Sequence, residues 1–198
     1  MKEPIIIDNF LPEDQYQYLY DVIDDSQFVW KRSTIVDEKE LLCDSKFNQQ
    51  FTHGLYYGYN ATSSYCHDIT KPIIVQSNKD NNMPVIRALS KAKVNCNLVT
   101  ESIIQHGYHT DSNNKGLTAI YYLNSNNGYT SILWRDNVSV LSYINQIKED
   151  TNDKRKDVRE YKVESIANRI VIFPSDLLHT GSTCTNCNKR YVLNVNYH

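Results

Sequence analysis

The sequence Leu117-Thr-Ala-Ile-Tyr-Tyr-Leu-Asn124 is rich in residues that favour β-strands, and the turn sequence Ser-Asn-Asn-Gly follows it at 125–128. Tyr129-Thr-Ser-Ile-Leu-Trp134 then predicts a returning strand. Two further strands are predicted near the end of the chain, over Asn168–Pro174 and Arg190–His198. Short strands separated by turns indicate a mainly β fold.

Two histidines and one aspartate lie at the edges of these predicted strands. His109 and Asp111 are two residues apart, so their side chains point the same way from an extended chain. His179 can complete three ligands on one side of a metal ion, a set that leaves three octahedral positions open, as in non-haem Fe(II) oxygenases. A His-x-Asp pair alone is a weak signal, because structural histidines are more common than ligands.

The last predicted strand has two different faces. Its alternation places an apolar set, Tyr191, Leu193, Val195 and Tyr197, opposite a polar set, Arg190, Val192, Asn194 and Asn196. The polar face either meets water or lines a cavity inside a barrel, and the sequence leaves both alternatives open. Asn95 and Asn97, which alternate with apolar residues in the predicted strand Lys93–Thr100, leave the same choice.

The N-terminal half predicts supporting elements. Residues 5–10 predict a strand, and Pro12 to Asp24 predict a helix with proline in its first turn. A second helix is predicted over Met83–Lys93, where apolar residues recur at helical spacing. Residues 44–82 show no clear periodicity and predict an irregular segment that forms the substrate-side wall, while the charged run 148–157 predicts a solvated loop.

Composition limits the classes of function. A chain of 198 residues suits one domain, and a formal net charge of -2 gives no indication of a nucleic-acid-binding surface. No apolar run approaches the length of a membrane span, so we expect a soluble cytoplasmic protein. Five cysteines fit a reducing compartment. Cys184 and Cys187 could hold zinc or exchange disulfides, but they have no matching second pair, and we favour ordinary surface thiols.

An ordered set of segments resembles the 2-oxoglutarate and Fe(II)-dependent oxygenases, and within them the prolyl 4-hydroxylase-like branch. The resemblance covers roughly residues 93 to 198, and weakly the opening Ile5–Pro12. The segments that carry it are His109-x-Asp111, Ile120-Tyr-Tyr-Leu-Asn124, Gly128-Tyr-Thr-Ser-Ile-Leu133, Asn168-Arg-Ile-Val-Ile-Phe-Pro-Ser175, His179 and Arg190. The set in this order is much more specific than any one of its members.

The resemblance implies a fold and a set of residue roles. The fold is a double-stranded β-helix (jelly roll) barrel of the α+β kind with supporting N-terminal helices, in one oxygenase domain over 1–198. Residues 1–92 would be the support and 93–198 the jelly-roll core. His109, Asp111 and His179 would bind Fe(II), Arg190 would bind the distal carboxylate of 2-oxoglutarate, and Tyr122 would support that carboxylate.

The implied activity is hydroxylation by a dioxygenase that uses 2-oxoglutarate and O2, releases succinate and CO2, and takes ascorbate as a candidate reductant. A prolyl peptide or protein is a candidate substrate, although the sequence does not identify it. The alternative is a jelly-roll module that binds metal or senses without turnover, because this fold has many non-catalytic uses. A zinc hydrolase is the weaker third choice, since no general base is positioned and the arginine would have no role.

Overall fold

The predicted strands form, and additional strands accompany them, in a computed structural model that describes residues 1–36, 43–112, 116–134 and 159–198. Two helices are present in these ranges, α1 (Glu13–Asp24) and α2 (Cys66–Lys79), with a short 3-10 turn at Ser45–Phe47. The strands are β1 (Ile5–Ile7), β2 (Lys31–Ser33), β3 (Gln50–Tyr57), β4 (Asn60–Ala61), β5 (Leu89–Leu98), β6 (Leu117–Tyr122), β7 (Tyr129–Trp134), β8 (Arg159–Glu164), β9 (Arg169–Pro174), β10 (His179–Gly181) and β11 (Lys189–Tyr197).

The strands form two antiparallel sheets. The larger has the order β1-β9-β6-β11-β5-β3-β2, with β4 paired to β3, and the smaller has the order β10-β7-β8. Isolated bridges such as Gln105 to Ser182 and His109 to His179 join the segment after β5 to the β10 region. The mainly β prediction is therefore confirmed. The chain passes from β9 in the large sheet to β10 in the small sheet, which begins at the predicted metal ligand His179.

The larger of two hydrophobic clusters among the described residues lies between the large sheet and the two helices. Leu19 and Ile23 of α1 and Ile69 and Ile73 of α2 are fully buried in one cluster with the apolar face of β11. Burying a side chain of this size contributes roughly 1.5–3 kcal/mol relative to leaving it exposed. Both helices therefore support one face of the sheet and leave its other face for a cavity.

The prediction of a helix over Met83–Lys93 is wrong. Residues from Leu89 onward form β5, which pairs with both β3 and β11, so tertiary pairing overrides the helical spacing of the apolar residues. The second helix is α2, inside the range 44–82 that we predicted to be irregular. Its buried stripe includes the polar residues Thr70 and Ser77, and Pro72 lies inside the helix, so the apolar residues alone do not reveal the periodicity.

Asn168 fastens the N-terminal segment to the barrel. It has a left-handed backbone (φ 60°) and is buried. Its Oδ1 accepts hydrogen bonds from the Leu11 amide (2.9 Å) and the Tyr121 hydroxyl (2.8 Å), and its Nδ2 donates to the Leu11 carbonyl (2.8 Å). An asparagine tolerates this backbone conformation and satisfies both polar groups of Leu11.

We predict that Asn168→Ala lowers the free energy of unfolding by roughly 2–4 kcal/mol, because it leaves buried polar groups unsatisfied and strains the backbone. Asn168→Gly should lose less, since glycine adopts a positive φ freely. Urea unfolding of both variants at one pH measures the difference. Equal losses in the two variants would show that the backbone conformation has no part in the effect.

Candidate active site

The polar face of β11 lines a cavity rather than meeting water. Arg190, Val192 and Asn194 line it from β11, and Lys93, Asn95 and Asn97 line it from β5. The two strands pair in register, with Lys93 opposite Asn194 and Asn97 opposite Arg190. The cavity has a volume of about 60 Å³. This arrangement decides the choice that the sequence left open for both strands.

His109, Asp111 and His179 come together at one end of this cavity. The backbones of the two histidines pair directly, with His109 N–H donating to His179 O (3.0 Å) and His179 N–H donating to His109 O (2.9 Å). One ligand atom from each of the three side chains lies within 4.8 Å of the others. Histidine, cysteine, aspartate and glutamate are the side chains that commonly bind metal ions. Among those in the described residues, these three lie close enough together to share one ion.

Three side chains hold the Asp111 carboxylate. Its Oδ2 accepts hydrogen bonds from Thr118 Oγ1 (2.9 Å), Asn196 Nδ2 (2.9 Å) and Asn194 Nδ2 (3.3 Å). Burial opposes ionisation of this carboxyl, but the two neighbouring histidines and the hydrogen bonds outweigh it and hold the pKa of Asp111 well below its usual range. Asp111 is therefore an oriented, ionised carboxylate.

Both histidine rings have features that suit a metal ligand. His179 Nδ1 lies 3.0 Å from the Leu177 carbonyl and donates to it, which fixes the orientation of the ring. The Nε2 atom of His179 is buried, has no hydrogen-bond partner and lies 3.5 Å from Asp111 Oδ2. Burial, reinforced by His179, lowers the pKa of His109 to about 3, so its imidazole is neutral. Two imidazoles and one carboxylate fit a divalent transition metal.

Arg190 is a buried cation at the other end of the same cavity. It is 2% exposed, and it donates to Ser165 Oγ (2.8 Å) and Thr130 Oγ1 (3.3 Å). No ion pair joins it to a carboxylate among the described residues. Gly128 makes room for it, since a Cβ there would lie 2.7 Å from Arg190 Cδ. A buried guanidinium without a counter-charge is costly, so the site suits an anionic ligand.

Residues 100–198 match the family model of the 2OG-Fe(II) oxygenase superfamily. The chain belongs to this family. The matched segment contains all five residues that the resemblance assigned to the site, and it confirms the prediction that the chain is of the class of 2-oxoglutarate-dependent oxygenases. No curated protein matches the chain.

Solved structures of other oxygenases share the fold. A prolyl hydroxylase from Trichoplax adhaerens, in complex with a hypoxia inducible factor peptide fragment, has 17% identity and a TM-score of 0.58 over 100% of this chain and 84% of that one. A prolyl-4-hydroxylase from Pseudomonas putida has 14% identity and a TM-score of 0.59 over 100% and 93%. A 2OG-Fe(II) oxygenase family protein from Burkholderia pseudomallei has 9% identity and a TM-score of 0.65 over 98% and 84%. The predicted jelly-roll fold is confirmed.

Tyr122 of this oxygenase contacts Arg190 through its ring. The guanidinium carbon lies 5.7 Å from the ring centroid, within the range of a cation–π interaction. The hydroxyl is fully buried and makes a long contact (3.5 Å) to the Val163 carbonyl. Ile120, two residues earlier on the same strand, lines the cavity instead. Tyr122 therefore packs against the Arg190 side chain.

Two residues that the sequence did not single out also line the cavity of the oxygenase. His106 is 2% exposed, and Asn97 Nδ2 lies 3.4 Å from its Nε2. Lys93 is partly buried, and its burial, together with Lys91, lowers its pKa to about 8 although Asp111 opposes the shift. Neither residue has a spacing that marks it in the sequence. Only the register of β5 and the course of the following segment reveal them.

The remaining predictions have mixed outcomes. Cys184 is fully buried and donates to the Cys187 carbonyl, so the expectation of two surface thiols is wrong for Cys184. The charged run 148–157 lies outside the described residues. In the part of the oxygenase that the structure describes, none of the helices has both the length and the apolar character that a membrane crossing needs.

We predict that His106 makes the metal-free oxygenase less stable in mild acid. Burial and the nearby Arg190 lower its pKa to about 4, whereas an unfolded histidine titrates near 6.5. The unfolded state therefore binds the extra proton first, and stability falls as pH drops from about 6.5 to 4. In His106→Gln this loss should be smaller by roughly 2 kcal/mol between pH 7 and 4.5.

Urea unfolding at a series of pH values measures this loss. His67→Gln on α2 is the matched control, because His67 is an exposed histidine. A His106→Gln profile parallel to that of the wild type would show that His106 is not held neutral.

Proposed function

We propose that the chain is an Fe(II)- and 2-oxoglutarate-dependent dioxygenase that hydroxylates its substrate and releases succinate and CO2. One observation carries this proposal. One cavity has His109 and His179, with Asp111 beside them, at one end and Arg190, without a carboxylate partner among the described residues, at the other. A metal that is merely structural would not need a buried cation at the far end of its cavity.

Each residue has a role in this proposal. His109, Asp111 and His179 would hold Fe(II) on one side, and Arg190 would bind the distal carboxylate of 2-oxoglutarate through its planar set of donors. When bound, the metal and the cosubstrate supply the oxidation of a substrate C–H bond by O2. The chain orients them and excludes water, and Tyr122 keeps the Arg190 guanidinium in place. Ascorbate remains the candidate reductant.

His106 adds a neutral donor to the cosubstrate end. Because Asn97 Nδ2 donates to Nε2, the ring hydrogen is on Nδ1, which is buried and has no hydrogen-bond partner. Arg190 is close enough to His106 to affect its pKa. A carboxylate held by Arg190 would accept this hydrogen bond as well.

The neighbouring structures favour a peptide or protein that contains a proline as the substrate. The Trichoplax adhaerens prolyl hydroxylase is in complex with a peptide fragment, and that fold neighbour supports a peptide substrate here. Residues 1–92 add β1, β2 and β3 to the sheet that contains β11. This shared sheet supports one oxygenase domain over 1–198.

We predict that the purified protein slowly converts 2-oxoglutarate to succinate without any added substrate. The reaction needs Fe(II), ascorbate and O2, and its product can be measured by mass spectrometry. His179→Ala should abolish it, since two remaining ligands hold the ion too weakly. Calorimetry with Mn(II) as an inert substitute checks metal binding separately. Intact binding of metal and cosubstrate without any succinate would favour the non-catalytic module.

Arg190→Ala should weaken 2-oxoglutarate binding to the Mn(II) form by at least about tenfold, because a charge-assisted hydrogen bond contributes roughly 1.5–3 kcal/mol. Arg190→Lys should recover part of the loss, since it keeps the charge but not the paired donors. Gly128→Ala should weaken binding too, because its Cβ would lie 2.7 Å from Arg190 Cδ and 2.8 Å from the Thr183 carbonyl oxygen, so that both must shift.

Gly54→Ala is the matched control for Gly128→Ala, since a Cβ at position 54 meets only an ordinary contact at 3.5 Å. Calorimetric titration of 2-oxoglutarate into the Mn(II) forms of the wild type and the four variants gives the five affinities. Unchanged cosubstrate affinity in Arg190→Ala would show that Arg190 does not bind the distal carboxylate of 2-oxoglutarate.

A further inference from the structure

Lys93 is a second cation in the cavity, at the opposite end from Arg190. Both side chains line the cavity, on neighbouring strands. Lys93 lies opposite Asn194, and Arg190 lies opposite Asn97. The two cations are therefore offset by four residue steps along the sheet. At 3.3 Å per residue that separation is about 13 Å.

The metal ligands are at the Lys93 end of the cavity. Asn194, the register partner of Lys93, donates to Asp111 Oδ2 (3.3 Å). Lys93 also makes no ion pair within 4.0 Å of a carboxylate among the described residues. The ammonium is therefore near the reacting end of the site but is not bonded to Asp111.

The positive charge of Lys93 is not needed to balance the other charges at the site. The two positive charges of a divalent ion and the charge of Arg190 balance Asp111 and the two carboxylates of 2-oxoglutarate. Lys93 stands outside this balance, in surroundings that the structure shows to be partly buried. A partly buried cation is stabilised by an anion that hydrogen-bonds to it. The distal carboxylate of the cosubstrate would lie at Arg190, about 13 Å away along the sheet, and its other carboxylate is already balanced by the metal ion.

We propose that Lys93 binds a carboxylate of the substrate beside the metal ligands, so that the substrate of this oxygenase is an acid. The inference rests on the proposed function and specifies its substrate class. Lys93 is a specificity-determining residue, and it orients the substrate through one ion pair. The carboxylate belongs either to a free carboxylic acid or to an acidic side chain of a peptide, and the same ammonium recognises both.

NMR tests this without turnover, because Mn(II) in the active site broadens the proton signals of any probe that binds near it. The experiment uses saturating 2-oxoglutarate and two pairs of probes, each an acid and its matching amide. The pairs are N-acetylproline with N-acetylprolinamide, and acetyl-Ala-Pro-Asp-Ala-amide with acetyl-Ala-Pro-Asn-Ala-amide. We expect the acid of at least one pair to bind at least about tenfold more tightly than its amide. The first pair reports a free acid and the second an acidic side chain.

Variants of Lys93 assign any preference to this residue. Lys93→Met keeps the length of the side chain and should reduce acid binding to the level of the amide, whereas Lys93→Arg should retain most of the preference. Lys79→Met, at an exposed lysine on α2, is the matched control and should behave as wild type. Equal broadening of acids and amides, or an unchanged preference in Lys93→Met, would overturn the inference.

The proton signals of 2-oxoglutarate itself distinguish a failure of the proposed function from a failure of the role proposed for Lys93. If Mn(II) does not broaden them at subsaturating cosubstrate, the proposed metal and cosubstrate site is wrong. If it does broaden them and the acid preference is absent, the proposed function stands and the role of Lys93 fails. The same signals show whether Lys93→Met is still folded around the metal.

Discussion

The site depends on a strand that is buried on both faces. β11 lies between β5 and β6, and each of its residues from Arg190 to Tyr197 is buried. Its apolar face packs against the helices, and that burial offsets the cost of removing three polar side chains from water on the other face. These polar side chains form part of the site. Asn194 and Asn196 donate hydrogen bonds that orient Asp111, and Arg190 lies at the far end of the cavity.

Opposing electrostatic effects meet within this cavity. Burial favours neutral imidazoles at His106 and His109, and both pKa values are lowered accordingly. The Asp111 carboxylate stays ionised because donors converge on one of its oxygens, so burial does not decide its state. Arg190 keeps its charge because a guanidinium is too basic to lose it. The cavity thus combines neutral nitrogen donors, a fixed anion and a cation that has no carboxylate partner among the described residues.

The sequence predicted the strands around the site well because each has strong β-formers and a turn beside it, as at Leu117–Asn124. It failed for the first half of β5, where a helical spacing of apolar residues conceals a strand that two neighbours pair with, although the second half was predicted as part of the strand Lys93–Thr100. It also failed for α2, whose buried stripe contains polar residues and whose interior contains Pro72. The assigned site residues followed from family order, whereas His106 and Lys93 depend on strand register and side-chain direction, which no single spacing encodes.

The short strand β10 makes the metal end of the site a candidate for local unfolding. β10 has three residues, begins with His179, and is held by β7 on one side and by isolated bridges from the 105–109 segment on the other. A segment held by so few backbone pairs opens locally with less free energy than the whole domain. The ion-free protein could therefore lose its third ligand while the helices and the large sheet remain folded. An ion that binds only the closed form would suppress this opening, so metal occupancy would be reported by slower amide exchange in β10 before any change in global stability.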